Sequence, residues 1–290
     1  MPELPEVETV RRHLARALVG RTIERVTVRR SDIVRGCGCS ALSRALRGRT
    51  VLSVERLGKN LIVRLDRGLA LLVHLGMTGR FQVLESGCRL PKHTHLRAEL
   101  SGGRLLIFRD PRRFGHLEVC ASDNLAQSET LRNVGLDAMS ERFTARRLGE
   151  MLAGRTGLLK SALMDQSRLA GLGNIYVCEV MHRAGMSPQA RCGELSDQQV
   201  RRLHRAIRRV LAEAIAAEGT TIADYLTGAG VPGGFQERLR VYGREGESCR
   251  RRGCAGIIKR IVQSNRSTFY CPDCQRDCEE SPAASDTEVE

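Results

Sequence analysis

Four of the eleven cysteines fall in two close pairs near the C-terminal end, Cys249 with Cys254 and Cys271 with Cys274, inside CRRRGCAGIIKRIVQSNRSTFYCPDC. The spacing is C-x4-C-x16-C-x2-C: each pair can bite one ion, and enough chain lies between them for a β-hairpin. Few patterns restrict a fold more tightly. The segment is expected to be a hairpin pinned by one Zn2+ ion held tetrahedrally on four thiolates, a closed site that makes the metal structural and not catalytic. The remaining cysteines (Cys37, Cys39, Cys88, Cys120, Cys178, Cys192, Cys278) show no framework, which points to a reducing compartment and not to a disulfide scaffold.

The cysteine module is basic, with Arg250, Arg251, Arg252, Lys259, Arg260, Arg266 and Arg276 against Asp273 and Asp277. A zinc-stapled basic hairpin suits phosphate contact, and Arg266 falls where the hairpin should turn, although an ordinary exposed arginine is the alternative. The bias holds for the whole chain: 47 Lys and Arg against 33 Asp and Glu in 290 residues, a formal net charge of +14. A polyanionic partner follows, nucleic acid first and an anionic membrane surface second. No apolar run of about 18 residues occurs and the N-terminus has no secretory pattern, so a soluble intracellular protein is expected and membrane binding recedes.

Residues 22 to 120 carry short β-like runs, among them TIERVTVRR, VLSVERL, NLIVRLD, LALLVHL, RLLIFRD and HLEVC, punctuated by Gly, Asp and Ser as in a β-sandwich. From about residue 140 the spacing turns helical. In SDQQVRRLHRAIRRVLAEAIAAEG, Val200, Leu203, Ile207, Val210, Leu211 and Ala214 share one face, Ser196 and Gln199 form a capping box, and Gly219 is a natural stop. Arg201, Arg202, Arg205, Arg208 and Arg209 occupy the other face, most simply as a solvated surface.

The first residues are MPELPEVETV. Pro5 suits a first helical turn, Val7, Val10, Leu14 and Leu18 follow at helical spacing, and Glu6 and Glu8 complement the helix dipole. Helix grammar leaves Pro2 and Glu3 without a role. Removal of the initiator methionine exposes Pro2 as a secondary α-amine, which titrates near pH 8 and attacks electrophilic carbon to give an iminium.

MPELPEVET, LGKNL with Lys59, HLGMTG with Met77, KHTH with His93, DPRRFG with Arg112 and Phe114, GLGNIY with Asn174, VYGR and the cysteine module, in that order, resemble the formamidopyrimidine-DNA glycosylases. The resemblance implies an α+β multidomain chain: an N-terminal β-sandwich domain with a leading helix (1–133), a helix-two-turn-helix domain (134–226), a lesion-capping loop and linker (227–243), a zinc finger (244–278) and a disordered acidic tail (279–290). It implies a monomer, cytoplasmic and bound to the bacterial nucleoid, that acts on double-stranded DNA with oxidised or abasic sites.

The implied activity is base excision of oxidised purines, 8-oxoguanine and formamidopyrimidines, followed by β,δ-elimination at the abasic site. Pro2 matches the nucleophile at C1′, Glu3 the acid on the sugar ring oxygen, and Glu6 a supporting carboxylate. Lys59, counted with Pro2 and Glu3 in the catalytic set, matches a phosphate-holding position, as do Asn174 and Arg266, and His93 matches a DNA contact. Met77 and Phe114 match a wedge in the base stack and Arg112 the partner of the orphaned cytosine. Read without the resemblance, Met77 and Phe114 are turn or core residues and Arg112 a surface ion pair. Lys160 also matches a family lysine.

The C-x4-C pair departs from the expected C-x2-C, GAGVPGGFQ (228–236) has few side chains for a lesion-capping loop, and the chain continues past the zinc module with Cys278 and an acidic tail to which the sequence assigns no purpose. Two rival functions are an endonuclease VIII-like enzyme for oxidised pyrimidines and a catalytically silent binder of damaged DNA. The leucine of ELPEVE with the Met77, Arg112, Phe114 set speaks against the first, and the intact Pro2 and Glu3 against the second.

Overall fold

A computed structural model describes residues 2–220 and 233–276. Met1, the 227–232 part of the expected capping loop, Cys278 and the acidic tail lie outside the described residues. In chain order the elements are α1 (Leu4–Leu18), β1 (Ile23–Val28), β2 (Val34–Arg35), α2 (Cys39–Leu46), β3 (Val51–Leu57), β4 (Asn60–Leu65), β5 (Leu69–His74), β6 (Arg80–Glu85), β7 (Thr94–Leu100), β8 (Arg104–Arg109) and β9 (His116–Ala121). There follow β10 (Leu136–Asp137), α3 (Ala145–Leu152), α4 (Leu159–Met164), β11 (Leu169–Ala170), α5 (Asn174–Ala184), α6 (Asp197–Ala216), β12 (Lys259–Gln263) and β13 (Arg266–Tyr270). No helix among the described residues is long and apolar enough to cross a membrane.

The chain forms two compact units. The first takes Met1–Phe143, Asp165–Gly173 and Arg208–Arg238. Its centre is the expected sandwich, a four-stranded sheet in the order β1-β7-β8-β6 and a five-stranded one in the order β2-β9-β5-β4-β3. Val54, Leu61, Val63, Leu71, Val73, Leu106 and Phe108 fill the core together with Val7, Val10, Leu14 and Leu18 of α1. β4 and β5 read as nearly unbroken apolar runs because both their faces are covered: Ile62, Ala70 and Leu72 point the other way, into a second cluster with Leu131. The quoted runs leave out β6, whose four inner residues are bounded by charges, β7, which charges interrupt, and α2, whose eight residues lie within the strand-rich stretch.

The second unit takes Thr144–Met164, Asn174–Ile207 and Leu239–Glu290. α5 is buried along almost its whole length and packs against α4 and β13. β12 and β13 are the hairpin expected between the cysteine pairs, and its turn is Ser264–Asn265, both at positive φ (48° and 58°), as a two-residue turn matched to strand twist requires. Arg266 is therefore the first residue of β13, paired with Gln263, and not part of the turn itself.

The long helix bears out its pattern. Ser196 Oγ accepts from Gln199 N–H at 3.3 Å while Gln199 Oε1 accepts from Ser196 N–H at 2.7 Å, and all six residues of the apolar face are buried. On the basic face Arg201, Arg202, Arg205 and Arg209 are exposed, whereas half-buried Arg208 donates to the carbonyls of Ala138 (3.3 Å) and Ser140 (3.1 Å) and belongs to the fold.

Candidate active site

The tip of the chain is fixed in the first unit. Pro2 is buried, Glu3 is the N-cap of α1, and Pro5 lies in its first turn. Glu3 thus has a place in the helix start that the sequence reading did not give it: Glu6 Oε2 accepts from Glu3 N–H at 2.9 Å, one half of a capping box. Glu3 Oε2 accepts from Gly173 N–H (2.7 Å), and Leu4 N–H donates to Gly171 O (3.1 Å), so GLG clasps the tip. Both glycines are needed. A Cβ on Gly173 would stand 2.3 Å from Glu3 Cδ, and one on Gly171, at φ +117°, 2.4 Å from Leu4 Cδ1.

Glu6, 2% exposed, spends its second oxygen on Thr220, accepting from its N–H (2.8 Å) and Oγ1 (3.1 Å). The first α1 turn therefore holds the chain where it leaves α6. Thr220 carried no signal in the sequence, because its partner is 214 positions away. Glu8 is turned from this centre. Burial alone would raise its carboxyl, but hydrogen bonds and charges from Arg11, Arg12 and Arg56 outweigh burial and hold it below the ordinary value.

Lys59 is buried, 7% exposed, at the tip of the β3–β4 hairpin. Gly58 before it has φ +58°, and a Cβ there would meet Ala170 Cβ at 2.7 Å. Asp137 Oδ2 accepts from Gly58 N–H (2.7 Å) and pairs with Arg56, while its Oδ1 accepts from Met139 N–H (2.8 Å). A short, glycine-led turn on a buried ion pair leaves the lysine little positional freedom.

The expected wedge residues lie on two adjoining loops. Met77, between β5 and β6, is 38% exposed, and Phe114, between β8 and β9, is 54% exposed, which rules out the core alternative for both. A Cβ on Gly76 would lie 2.5 Å from the Phe114 backbone, so the loops touch main chain to main chain. Fully buried Asp110 ties them, accepting from Thr78 Oγ1, Arg112 N–H (3.2 Å) and Gly115 N–H (2.8 Å). Arg112 has its guanidinium 4.6 Å from the Phe114 ring centre, a cation–π contact in place of the surface ion pair. His93 is exposed with φ +64°, while buried His95 donates from Nε2 to Asp110 O (2.9 Å).

His74 and His116 were not singled out in the sequence. Their rings stack 5.1 Å apart at the root of these loops. Burial, then the positive charges of Lys59 and Arg35, lowers His74 to about 4, and burial, then His74 and Arg35, lowers His116 to about 3.

In the second unit, Asn174 begins α5 and donates from Nδ2 to Ser267 O (2.9 Å). Lys160, 2% exposed, donates to the same carbonyl (3.2 Å) and to Thr268 Oγ1 (2.6 Å). Two side chains thus brace the strand next to exposed Arg266; burial, then the charge of Arg266, lowers the Lys160 pKa.

Cys249, Cys254, Cys271 and Cys274 converge, their sulfurs all within 4.8 Å of one another. Sγ–Sγ distances of 3.8 Å (Cys249 to Cys274) and 3.6 Å (Cys254 to Cys271) match the edge of about 3.8 Å that a tetrahedron with Zn–S bonds of about 2.3 Å requires. The longer first knuckle still delivers both sulfurs, and the donor set fits one zinc ion.

Comparison with known proteins gives three family models in register with this organisation. The formamidopyrimidine-DNA glycosylase N-terminal domain matches residues 1–117, the H2TH domain of the same glycosylases 134–225, and a zinc finger found in FPG and IleRS 246–276. The formamidopyrimidine-DNA glycosylase of Beijerinckia indica is 44% identical over 95% of this chain and its own full length, and that of a Ruegeria species 43% identical over the same shares. Among solved structures, the MutM (Fpg) protein of Thermus thermophilus superposes with a TM-score of 0.84 at 39% identity, covering 94% of this chain and 98% of that one. Lactococcus lactis Fpg in complex with DNA containing an abasic site gives 0.87 at 33% identity, covering 95% of this chain and all of that one.

Proposed function

The chain belongs to the formamidopyrimidine-DNA glycosylase family, and from that premise we propose that its reaction centre is the Pro2 amine, with Glu3 as its acid. It is a base-excision repair glycosylase and AP lyase for damaged DNA. The amine attacks C1′ of the damaged nucleotide, the C1′–base bond breaks, and Glu3 delivers a proton to the ring oxygen as the sugar opens to the iminium. β-Elimination then releases the 3′ side and δ-elimination the 5′ side. The substrates are 8-oxoguanine and formamidopyrimidines in duplex DNA, and the place of action is the nucleoid in the cytoplasm.

One observation carries the reading: a buried Pro2 followed by a carboxylate that a downstream glycine N–H holds at 2.7 Å. Binding alone needs no such apparatus. Lys59, Asn174 and Arg266 hold phosphates and His93 is a further DNA contact. Met77 and Phe114 replace the extruded nucleotide in the stack, with Arg112 on the orphaned base; flipping costs a few kcal/mol, which the wedge offsets. Glu6 supports the amine by fixing Glu3 and Thr220. The working domains are 1–133, 134–226, 227–243, 244–278 and the tail 279–290. Cys249, Cys254, Cys271 and Cys274 hold a zinc ion that ties the two knuckles together and takes no part in the reaction.

Borohydride reduction during incubation with a duplex carrying 8-oxoguanine opposite cytosine should trap a covalent protein–DNA adduct that Pro2→Gly abolishes. No adduct from folded, zinc-loaded protein freed of Met1 would sink the mechanism. A duplex carrying an oxidised pyrimidine, run in parallel, reports the lesion class.

A further inference from the structure

α5 ends against the first cysteine knuckle. His182, in its last turn, has no exposed surface, and its Nε2 lies 3.3 Å from Cys249 Sγ. The other ring nitrogen, Nδ1, is buried without a hydrogen-bond partner among the described residues. A buried imidazole with one acceptor in reach places its proton toward that acceptor, so Nε2–H points at sulfur, and a metal-bound thiolate accepts such bonds readily.

The same sulfur accepts from Arg251 N–H at 3.4 Å. The Arg251 guanidinium turns back to donate to the carbonyls of His182 and, at 3.3 Å, Arg183. Helix end and knuckle are therefore joined in both directions, side chain to sulfur and guanidinium to carbonyl. At its other end α5 starts with Asn174, which holds Ser267 O beside Arg266. One helix thus touches the zinc module at Cys249 and at the start of β13.

We propose that His182 is a positioning residue of the zinc site: its Nε2–H bond to the Cys249 thiolate fixes that ligand and fastens the module to α5. Nothing in the Pro2 chemistry depends on it, and it rests only on zinc occupying the four cysteines.

The test uses full-length protein. His182→Phe keeps the ring volume and loses the donor, while His182→Gln restores an N–H near the position of Nε2. With wild type first shown to carry one zinc per chain, release to a chromophoric chelator should be about 10- to 100-fold faster for His182→Phe and within about threefold of wild type for His182→Gln. In the cobalt(II)-substituted proteins the thiolate-to-metal charge-transfer band should move to longer wavelength in His182→Phe, because a sulfur without its hydrogen bond gives up electrons more easily, and stay in place in His182→Gln.

A histidine that merely fills space predicts wild-type release and band position for the phenylalanine variant, and that result overturns the proposal. Equal losses in both variants overturn it too. Should His182→Phe not fold, nitrogen-15 spectra of wild type decide, since a proton found on Nδ1 in place of Nε2 is incompatible with the bond. A wild-type chain that binds no zinc would instead remove the metal reading underneath.

Discussion

Asp110 shows how much a single side chain organises. It has no exposed surface and takes three donors from two loops, those that carry Met77 and Arg112–Phe114. Asp110→Ala leaves these donors unpaired, and urea denaturation should register a loss of about 3 kcal/mol, since each buried donor left without a partner costs about 1 kcal/mol or more. His74 and His116 give the chain an acid limit. Folded, they titrate at about 4 and about 3; unfolded, near 6.5. As pH falls below about 6.5 the unfolded chain takes up protons that the fold refuses, so stability is complete above that pH and declines toward pH 4. His116→Phe keeps the stacked ring and removes one base, so its urea midpoint should fall less than that of wild type between pH 7.5 and 4.5. An equal fall would show that this histidine is protonated without penalty. None of these three residues was legible as a site beforehand, because burial and partner, not residue type, give them their properties.

Among the elements, those decided by neighbours in sequence were legible and those decided by distant partners were not. α6 was readable from its cap to its stop because capping box, apolar stripe and glycine all lie within one stretch. Ser196→Ala should cost about 1 kcal/mol in thermal or urea unfolding, the usual worth of such a cap. By contrast β10 and β11 are two residues each and exist only by pairing, Leu136 with Leu169 and Asp137 with Ala170. Their worth is geometric: β10 supplies Asp137 to Gly58 and β11 sets Ala170 against it, which together fix the Lys59 hairpin. The α1 tip mixes both kinds. Pro5 and the Val7, Val10, Leu14 repeat were readable as a helix start, while the seat of Glu3 depended on Gly173, quoted in GLGNIY without its reason. Gly173→Ala should cut borohydride-trapped adduct at least about tenfold while Pro2 stays intact, because a 1 Å displacement of a catalytic group can cost on the order of 100-fold. Wild-type trapping by this variant would detach Glu3 from the reaction.

For the whole molecule, charge is the most direct guide: +14 points to a polyanion without help from any motif. Neutralising on the order of five phosphates predicts a log–log slope of DNA affinity on salt of roughly −4 to −5, and a flat response would argue against phosphate contacts as the source of affinity. The division into two units was only partly legible, since the first unit gathers Asp165–Gly173 and Arg208–Arg238 from far along the chain. That borrowing sets a schedule during synthesis. Glu3 waits for Gly173, 170 residues later, and Glu6 for Thr220, 214 residues later. At about 5–20 residues per second, a ribosome needs roughly 10 to 40 s to cover the longer interval. Until then Glu3 and Glu6 lack the downstream partners that seat them, so on the proposed mechanism the nascent chain emerges with its amine unarmed until Thr220 has been made.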